Sequence, residues 1–252
     1  MPGWAGALHR IASRAIGEGR NRGPFPLNAV IDVHKGSTGV FVLVLMQAYD
    51  VFTPSAYVYL ALHGTYGIAW VIKDLTVGDR RWRHRVGVPG ALGTWAFLSL
   101  YWVAPVVLIL GQAGELDLAG WTPAGPMQLA AAVVAYVVGL VLMIGADAQK
   151  NTLLARRENA GAGDAGLITT GFYARVRHPN YLGEILIYGG FALVVDHWIP
   201  WAILVPVWVL FFLPNMLAID ASLSRYPGFE EWRERTGFLL PRPGRRSSAG
   251  DG

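Results

Sequence analysis

Six apolar segments, separated by short polar connections, are the feature that most constrains the fold of this 252-residue chain. A helix needs about 20 apolar residues to cross a bilayer, with about 17 as a lower limit. The segments lie at about residues 37–53, 55–73, 91–111, 126–146, 181–196 and 198–218. Only 15% of all residues are charged, against about 25% in soluble proteins. The pattern predicts an all-α, polytopic membrane protein with about six transmembrane helices.

The distribution of lysine and arginine predicts the orientation of these spans. The N-terminal segment, the connections after the second and fourth spans, and the C-terminal segment are basic, whereas the other three connections contain no lysine or arginine. Basic connections remain on the cytoplasmic side of a membrane. We therefore expect an integral, multi-pass membrane protein with six spans and both termini in the cytoplasm.

Composition divides the chain into four regions. Residues 1–35 form a basic N-terminal arm, for which we expect disorder in preference to an amphipathic surface helix. Residues 36–146 contain the first four spans, residues 147–241 form a candidate cofactor-binding region, and residues 242–252 form a tail that is expected to be disordered. The glycine-rich linker at 158–166 is predicted to be flexible.

Several classes of function are excluded by what the sequence lacks. The chain contains no cysteine, so disulfides, thiolate metal sites and cysteine nucleophiles are excluded. Metal-binding spacing such as His-Glu-x-x-His is missing, and we predict no metal site. A phosphate loop and a Gly-x-Gly-x-x-Gly motif after a strand are also missing. The net charge of +4 gives no support for nucleic-acid binding.

The stretch from Leu167 to Glu184 is the strongest candidate for a functional site. Charged and polar side chains at the start of an apolar helix are costly unless they meet a partner or a ligand. These side chains belong to Arg175, Arg177, His178, Asn180, Tyr181 and Glu184. A basic loop that only fixes topology is the alternative. That role needs neither the histidine nor the glutamate.

Two further groups of residues are candidates. Asp147, Gln149 and Lys150 follow the fourth span, and together with Arg175 and Arg177 they could bind a phosphorylated ligand. Alternatively, these cations serve topology and the helix dipole.

The second span contains His63 and Tyr66, and a histidine inside a span requires a partner.

Near the C-terminus, Tyr226, Phe229 and Trp232 form an aromatic stripe at helical spacing. Such a stripe usually anchors a helix at the membrane interface, although it could instead close over a site.

The C-terminal half resembles a known membrane superfamily. This superfamily contains isoprenylcysteine carboxyl methyltransferases, phospholipid methyltransferases, and sterol and steroid 5α-reductases. The resemblance covers residues 147–241 and rests on Gly171-Phe172-Tyr173, Arg177-His178-Pro179-Asn180-Tyr181-Leu182-Gly183-Glu184, Asp220, Tyr226, Phe229-Glu230-Glu231-Trp232 and Leu240-Pro241. The Arg-His-Pro-x-Tyr core alone does not separate methyl transfer from hydride transfer.

Three features favour the reductase branch of this superfamily. The Gln149-Lys150 stretch and the Gly183-Glu184 pair look like those of sterol reductases. The paired glutamates of the methyltransferases correspond here to a single acid, Asp220. Steroid 5α-reductases proper lack Arg-His-Pro at this point, so a steroid substrate is not implied.

The reductase resemblance implies an NADPH-dependent reductase that acts on a C=C bond in a lipid, sterol-like or isoprenoid-like. A cytoplasmic pocket formed by the C-terminal half would hold the cofactor, and a hydrophobic substrate would enter from the bilayer. The implied cofactor-binding residues are Asp147, Gln149, Lys150, Arg175, Arg177, His178, Asn180, Tyr181, Glu184, Asp220 and Arg225. The available proton donors are Tyr66, His63 and Tyr181, with Tyr66 ranked first.

Two other functions stay open at this point. An S-adenosylmethionine-dependent methyltransferase would place that cofactor in the same pocket, in contact with His178, Tyr181 and Asp220, and would modify a lipid amine or carboxylate. A non-catalytic lipid-binding or scaffold protein is the third reading. The sequence names neither the substrate nor the oligomeric state.

Overall fold

A bundle of apolar helices forms the protein, and the structure, a computed structural model, describes residues 3–15, 23–159 and 166–242. The described residues form ten α-helices: α1 (Gly3–Ala15), α2 (Leu27–Ala48), α3 (Pro54–Val77), α4 (Val88–Ser99), α5 (Val103–Ala113), α6 (Pro126–Asn159), α7 (Pro179–Val195), α8 (Trp198–Val207), α9 (Leu213–Leu223) and α10 (Phe229–Arg235). Two-residue strands β1 (Phe25–Pro26) and β2 (Arg85–Val86) pair antiparallel. Most of the predicted linker and tail lies outside the described residues.

The prediction of an all-α, polytopic membrane protein is confirmed. Within the described residues, four helical stretches are long and apolar enough to cross a bilayer: Leu27–Ala48, Val88–Ala113, Pro126–Asn159 and Trp198–Leu223. Helix α3 is equally long but carries charged residues, and α7, with 17 residues, is shorter. Valines on α2 and α6 point outward, as a lipid-facing surface requires. The protein is therefore an integral membrane protein.

The first membrane helix begins ten residues earlier than we predicted, at Leu27 and not near residue 37. Composition predicts residues 1–35, which include Lys35, to be a basic arm outside the first span. Lys35 is only 7% exposed, however, because it points into the bundle, where it has partners. A charged side chain that faces protein does not end a membrane helix.

Prolines break two of the spans, as the sequence predicts. A 3₁₀ turn at Leu100–Trp102 separates α4 from α5, just before Pro105, whose ring nitrogen cannot donate to the carbonyl four residues earlier. A π-helical turn at Trp208–Phe212 separates α8 from α9, between Pro206 and Pro214. Both stretches still continue as single apolar segments.

The N-terminal arm is not disordered throughout, which corrects our expectation. Residues Gly3–Ala15 form helix α1, which packs against α9 and the adjacent π-helical turn. Ala5 is buried at this contact and Trp4 is half exposed. The amphipathic alternative therefore describes these residues better.

Glycines let two pairs of helices approach closely. A side chain at Gly67 of α3 would overlap the carbonyl of Lys35 on α2. On the other pair, a Cβ at Gly139 of α6 would lie 2.6 Å from the carbonyl oxygen of Gly183 on α7, and the reverse holds for Gly183 and Gly139. Small residues are the usual basis of tight helix packing in membranes. These contacts bring the polar faces of α2, α3, α6 and α7 together.

The predicted six-span topology leads to a labelling prediction. Ala119 lies in the connection between α5 and α6, and Asn159 ends α6; both are exposed. In this cysteine-free chain, single Ala119→Cys and Asn159→Cys variants should react with a membrane-impermeant maleimide from opposite sides, and Asn159→Cys from the cytoplasm. Reaction of both variants from one side would show the topology to be wrong.

Candidate active site

Helix α7 carries a polar strip through the bundle. Tyr181, Glu184 and Tyr188 are three and four residues apart, so they share one face of the helix. The strip starts beside His178, whose ring lies 6.0 Å from that of Tyr181 in an edge-on arrangement. It ends at Tyr188, which is 3% exposed.

Lys35, Tyr66 and Tyr188 form a buried cluster at the inner end of the strip. The Lys35 ammonium donates to the Tyr66 hydroxyl at 2.7 Å and lies 3.4 Å from the Tyr188 hydroxyl. The Tyr188 hydroxyl also lies 3.4 Å from that of Tyr66. Tyr66 is 1% exposed. The first-ranked proton donor of the sequence analysis is thus a buried phenol that contacts an ammonium group.

A second lysine lies nearby and approaches the same tryptophan as Lys35. The Nζ atoms of Lys35 and Lys73 lie 3.4 Å and 3.9 Å from the centre of the Trp70 ring. Lys73 also forms a 2.9 Å ion pair with Asp147 of α6. Glu184 interacts electrostatically with both lysines. The quadrupole of the Trp70 ring and the nearby carboxylates together stabilise the two lysine cations in the apolar bundle.

His63 belongs to the hydrophobic core near this cluster. Its Nδ1 lies 3.0 Å from the Tyr59 hydroxyl, and its ring stacks on Phe191 at 4.2 Å. The rings of His63 and Tyr66 are 6.3 Å apart, and no hydrogen bond joins them among the described contacts. The partner that a membrane histidine requires is therefore Tyr59.

Asp147 and Lys150 fasten α6 to the end of α3. Lys150 lies 3.3 Å from Asp147 and 3.4 Å from Asp79. The Asn151 amide donates to the Val77 carbonyl. Lys150 therefore pairs with carboxylates of the protein itself.

Gln149 holds the loop that precedes the Arg-His-Pro motif. Its amide nitrogen donates to the Thr170 carbonyl at 2.8 Å, and its side-chain oxygen accepts from the Phe172 amide at 3.0 Å. Gly171 lies between them with a φ of +59°, and a side chain there would collide with Gln149. Gln149 thus fixes the conformation of the loop that leads to the Arg-His-Pro motif.

Arg177 joins the motif to the C-terminal segment. Its Nε donates to Asp220 at 3.0 Å, and its Nη1 donates to the carbonyls of Arg233 and Thr236 at the end of α10. The backbone continues this contact, because Arg177 N donates to Gly237 O. The guanidinium is 8% exposed. These bonds give Arg177 a structural role, and its predicted contact with a cofactor stays a prediction.

His178 and Asp220 offer polar atoms to a ligand. His178 Nε2 lies 3.0 Å from Asp220 Oδ1, but neither atom has a hydrogen-bond partner of good geometry in residues 3–15, 23–159 and 166–242. Both atoms are buried, and His178 is 2% exposed. Buried polar atoms normally have partners. This pair is the clearest position at which a bound molecule would complete the hydrogen bonding.

The remaining predicted residues lie around this pair. Arg175 precedes the motif and is exposed, and Asn180 is half-buried at the start of α7. Arg225 is exposed and donates to the Tyr226 hydroxyl at 2.9 Å. Tyr181 contacts the ring of Phe212 at 5.2 Å. The structure therefore gathers the predicted residues into two groups, one near Asp220 and one near Tyr66, with the α7 strip between them.

The aromatic stripe of α10 is buried in the protein. Phe229 is 4% and Trp232 1% exposed, and the Trp232 indole donates to the Tyr173 carbonyl. Anchorage at the membrane interface is therefore wrong for these two rings. They dock α10 onto the loop that carries the motif.

An apolar cleft opens next to the deep cluster. Its walls come from α3, α5, α7, α8 and the 3₁₀ turn, and they include Tyr101, Tyr188, Phe191 and Leu204. Tyr101 and Tyr188 stack at 4.2 Å on its inner side. The cleft has room for about 10 Å³, which suits no more than a water molecule. A lipid would have to separate these helices to enter.

Sequence reasoning missed Lys35, Lys73 and Tyr188. Both lysines were counted as topology charges, and Tyr188 stood in an apolar segment. One signal was available for Lys35. Pro24 and Pro26 precede a helical pattern that places Asp32 and Lys35 three residues apart, well inside a helix that starts after the second proline.

The fold and the buried polar strip define a class: a helical integral membrane protein with an intramembrane polar site. Residues 64–236 match the model of a family described as a protein family of unknown function, DUF1295. The chain belongs to this family. The matched region includes Tyr66, the α7 strip and Asp220, but not Lys35.

One relative with a short matching segment is a protein of the fission yeast Schizosaccharomyces pombe described as uncharacterized. The segment is 41% identical over 58 residues, which is 23% of this chain. It spans 19% of the yeast protein, less than a fifth of that protein's length.

The Arg177 contacts lead to a stability prediction. Arg177→Ala should lower the free energy of unfolding by about 3–5 kcal/mol, because it breaks the largely buried ion pair with Asp220. It also removes the donors for the end of α10. Thermal unfolding in detergent measures the effect. Arg175→Ala, an exposed arginine of the same motif, is the control and should unfold like the wild type. Equal melting of both variants would contradict the structural role of Arg177.

Proposed function

We propose that this protein is an integral membrane reductase that uses NADPH to saturate a polarised C=C bond in a lipid. The observation that carries this proposal is the buried Tyr66 hydroxyl, which an ammonium group contacts at 2.7 Å beside an apolar cleft. Reduction of such a bond needs one hydride and one proton. A methyl transfer needs no proton donor at this depth. The cluster therefore favours the reductase over the methyltransferase.

Tyr66 is the proposed acid. Its hydroxyl lies 3.4 Å from that of Tyr188, which forms part of the cleft wall, and it is shielded from water. Its hydroxyl would deliver a proton to the substrate carbon next to the one that accepts hydride. Lys35 and Tyr188 hold the hydroxyl in place through the contacts described above. A fixed donor in a dry site is more effective than a mobile one.

The cofactor would lie at the other end of the strip. His178 and Asp220, whose buried side chains pair at 3.0 Å, would offer their remaining hydrogen-bonding capacity to a bound polar molecule. In this proposal, the exposed Arg175 would contact its phosphates, and so would Arg225, which also donates to Tyr226. Asn180 and Glu184 would orient it. When bound, NADPH would supply the hydride. The residues of the strip would bind it, exclude water and position the acid.

NADPH should stabilise the purified protein more than S-adenosylmethionine does. NADPH carries several negative charges, and each charge-assisted contact contributes about 1.5–3 kcal/mol. Thermal-shift titration in detergent compares the two ligands, and the NADPH effect should weaken as salt is added. Stabilisation by S-adenosylmethionine with none by NADPH would reject the reductase in favour of the methyltransferase.

Tyr66→Phe should remove reduction while leaving cofactor binding intact. Loss of a positioned acid lowers the rate by about 10²–10⁴-fold. Oxidation of NADPH at 340 nm, with cholest-4-en-3-one in nanodiscs as the probe, measures the rate. Tyr136→Phe is the matched control, because it also removes a buried tyrosine hydroxyl, one that bonds Thr65. A Tyr66→Phe variant that reduces the probe like the wild type would exclude Tyr66 as the acid.

A further inference from the structure

Tyr66 cannot recover a proton directly from water. Its side chain is 1% exposed, and its hydroxyl contacts only two titratable groups among the described residues, Lys35 and Tyr188. Tyr188 is itself 3% exposed, and its hydroxyl also lies beside Lys35. Any proton that returns to Tyr66 through these contacts therefore passes Lys35. The question is what connects Lys35 to the surface.

A pair of carboxyl groups lies on the surface side of Lys35. Asp32 precedes Lys35 by three residues, so both side chains share one face of α2. The Asp32 carboxyl faces that of Asp74 on α3 and the indole of Trp70. The Asn28 amide donates to Asp74 at 2.9 Å. Both carboxyl groups are half-buried, at the end of the bundle where α2 begins and α3 ends.

The charged and titratable groups around Lys35 come from three helices. They are Asp32 and His34 on α2, Tyr66 and Lys73 on α3, and Glu184 and Tyr188 on α7. Lys73 is held by Asp147. His34 points away from the cluster, because its ring stacks on Trp102 at 4.3 Å and its Nε2 contacts Ser99. Asp32 and Glu184 are thus the two carboxyl groups that interact electrostatically with Lys35.

We propose that Lys35 is a proton-relay residue that resupplies Tyr66 from an entrance formed by Asp32 and Asp74. Two carboxyl groups that face each other can hold a proton between them, and one oxygen of Asp32 has no hydrogen-bond partner in the described part of the chain. This inference rests on the proposed function, because the reaction consumes the Tyr66 proton. Chains of buried ionisable groups are the usual proton relays of membrane proteins.

Three proton transfers return Tyr66 and the relay groups to their starting protonation states. Tyr66 loses its proton to the substrate carbon and becomes a phenolate. The Lys35 ammonium gives a proton to that phenolate across the 2.7 Å contact and becomes a neutral amine. The carboxyl pair then protonates the amine and regains its proton from water. One proton enters for each C=C bond reduced, and no electrons move along the relay.

Exchange of the Tyr66 hydroxyl proton with water tests the relay without any substrate. In protein labelled with ¹³C at the Cζ atom of tyrosine and dissolved in an equal mixture of H₂O and D₂O, slow hydroxyl exchange gives two resolved lines. Fast exchange gives one averaged line. Tyr66 should give one line in the wild type and two lines in Lys35→Met. Tyr66→Phe assigns the signal by removing it.

Tyr59 provides the internal control. Its side chain is fully buried, and its hydroxyl contacts His63 and not Lys35. It should give two lines in both proteins. A Lys35→Met variant that disturbed the whole bundle would instead change the Tyr59 signal as well.

The entrance is tested with variants that preserve shape. Asp32→Asn and Asp74→Asn should each convert the single Tyr66 line into two lines, and they carry the test if Lys35→Met does not fold. Identical Tyr66 signals in the wild type and Lys35→Met would overturn the relay. A Tyr66 signal that changes in Glu184→Gln but in neither aspartate variant would overturn the proposed entrance. NADPH binding is measured separately, so a missing cofactor response rejects the reductase and not the relay.

Discussion

Two lysines that share one tryptophan inside an apolar bundle set the conditions for the rest of the structure. Lys35 and Lys73 both approach the Trp70 ring, at 3.4 Å and 3.9 Å from its centre. Like charges at this depth are unfavourable unless carboxylates compensate them. The compensating carboxyl groups come from three helices: Asp32 on α2, Asp147 on α6 and Glu184 on α7. Helix packing and charge compensation are therefore a single requirement in this fold.

Close helix packing makes that compensation possible. Gly67 lets α3 approach the Lys35 backbone, and Gly139 and Gly183 let α6 approach α7. A methyl group at any of these positions would push apart the helices that carry the opposite charges. Electrostatic attraction strengthens steeply as charges come closer in a medium of low polarity. The glycines thus act on the site indirectly, through the distance between helices.

Local sequence patterns predicted the helices better than they predicted the contacts of the site. Hydropathy located the apolar segments, and proline positions located the breaks near Pro105 and between Pro206 and Pro214. Sequence patterns did not predict the pairing of Lys35 with Tyr66, because it joins residues 31 positions apart on different helices. Which faces of α2 and α3 meet is decided by packing, which no single-helix pattern records.

The same limit explains why the contacts of Arg177 were not predicted. Its position in an Arg-His-Pro motif identified an important residue, whereas its bonds to the carbonyls of Arg233 and Thr236 depend on where α10 docks. Phe229 and Trp232 show the reverse case. Their spacing predicted a shared face, but the face is covered by protein and not by the membrane interface.

The cost of this polar interior argues for proton chemistry over a purely structural role. A buried ion pair is commonly replaceable by apolar residues of similar volume with no loss of stability, and sometimes with a gain. A bundle that needed only to fold would be served as well by leucines at Lys35 and Glu184. What apolar side chains cannot do is hold a proton and release it where water is absent. In the proposed relay, the buried line from Asp32 through Lys35 to Tyr66 would supply that capacity.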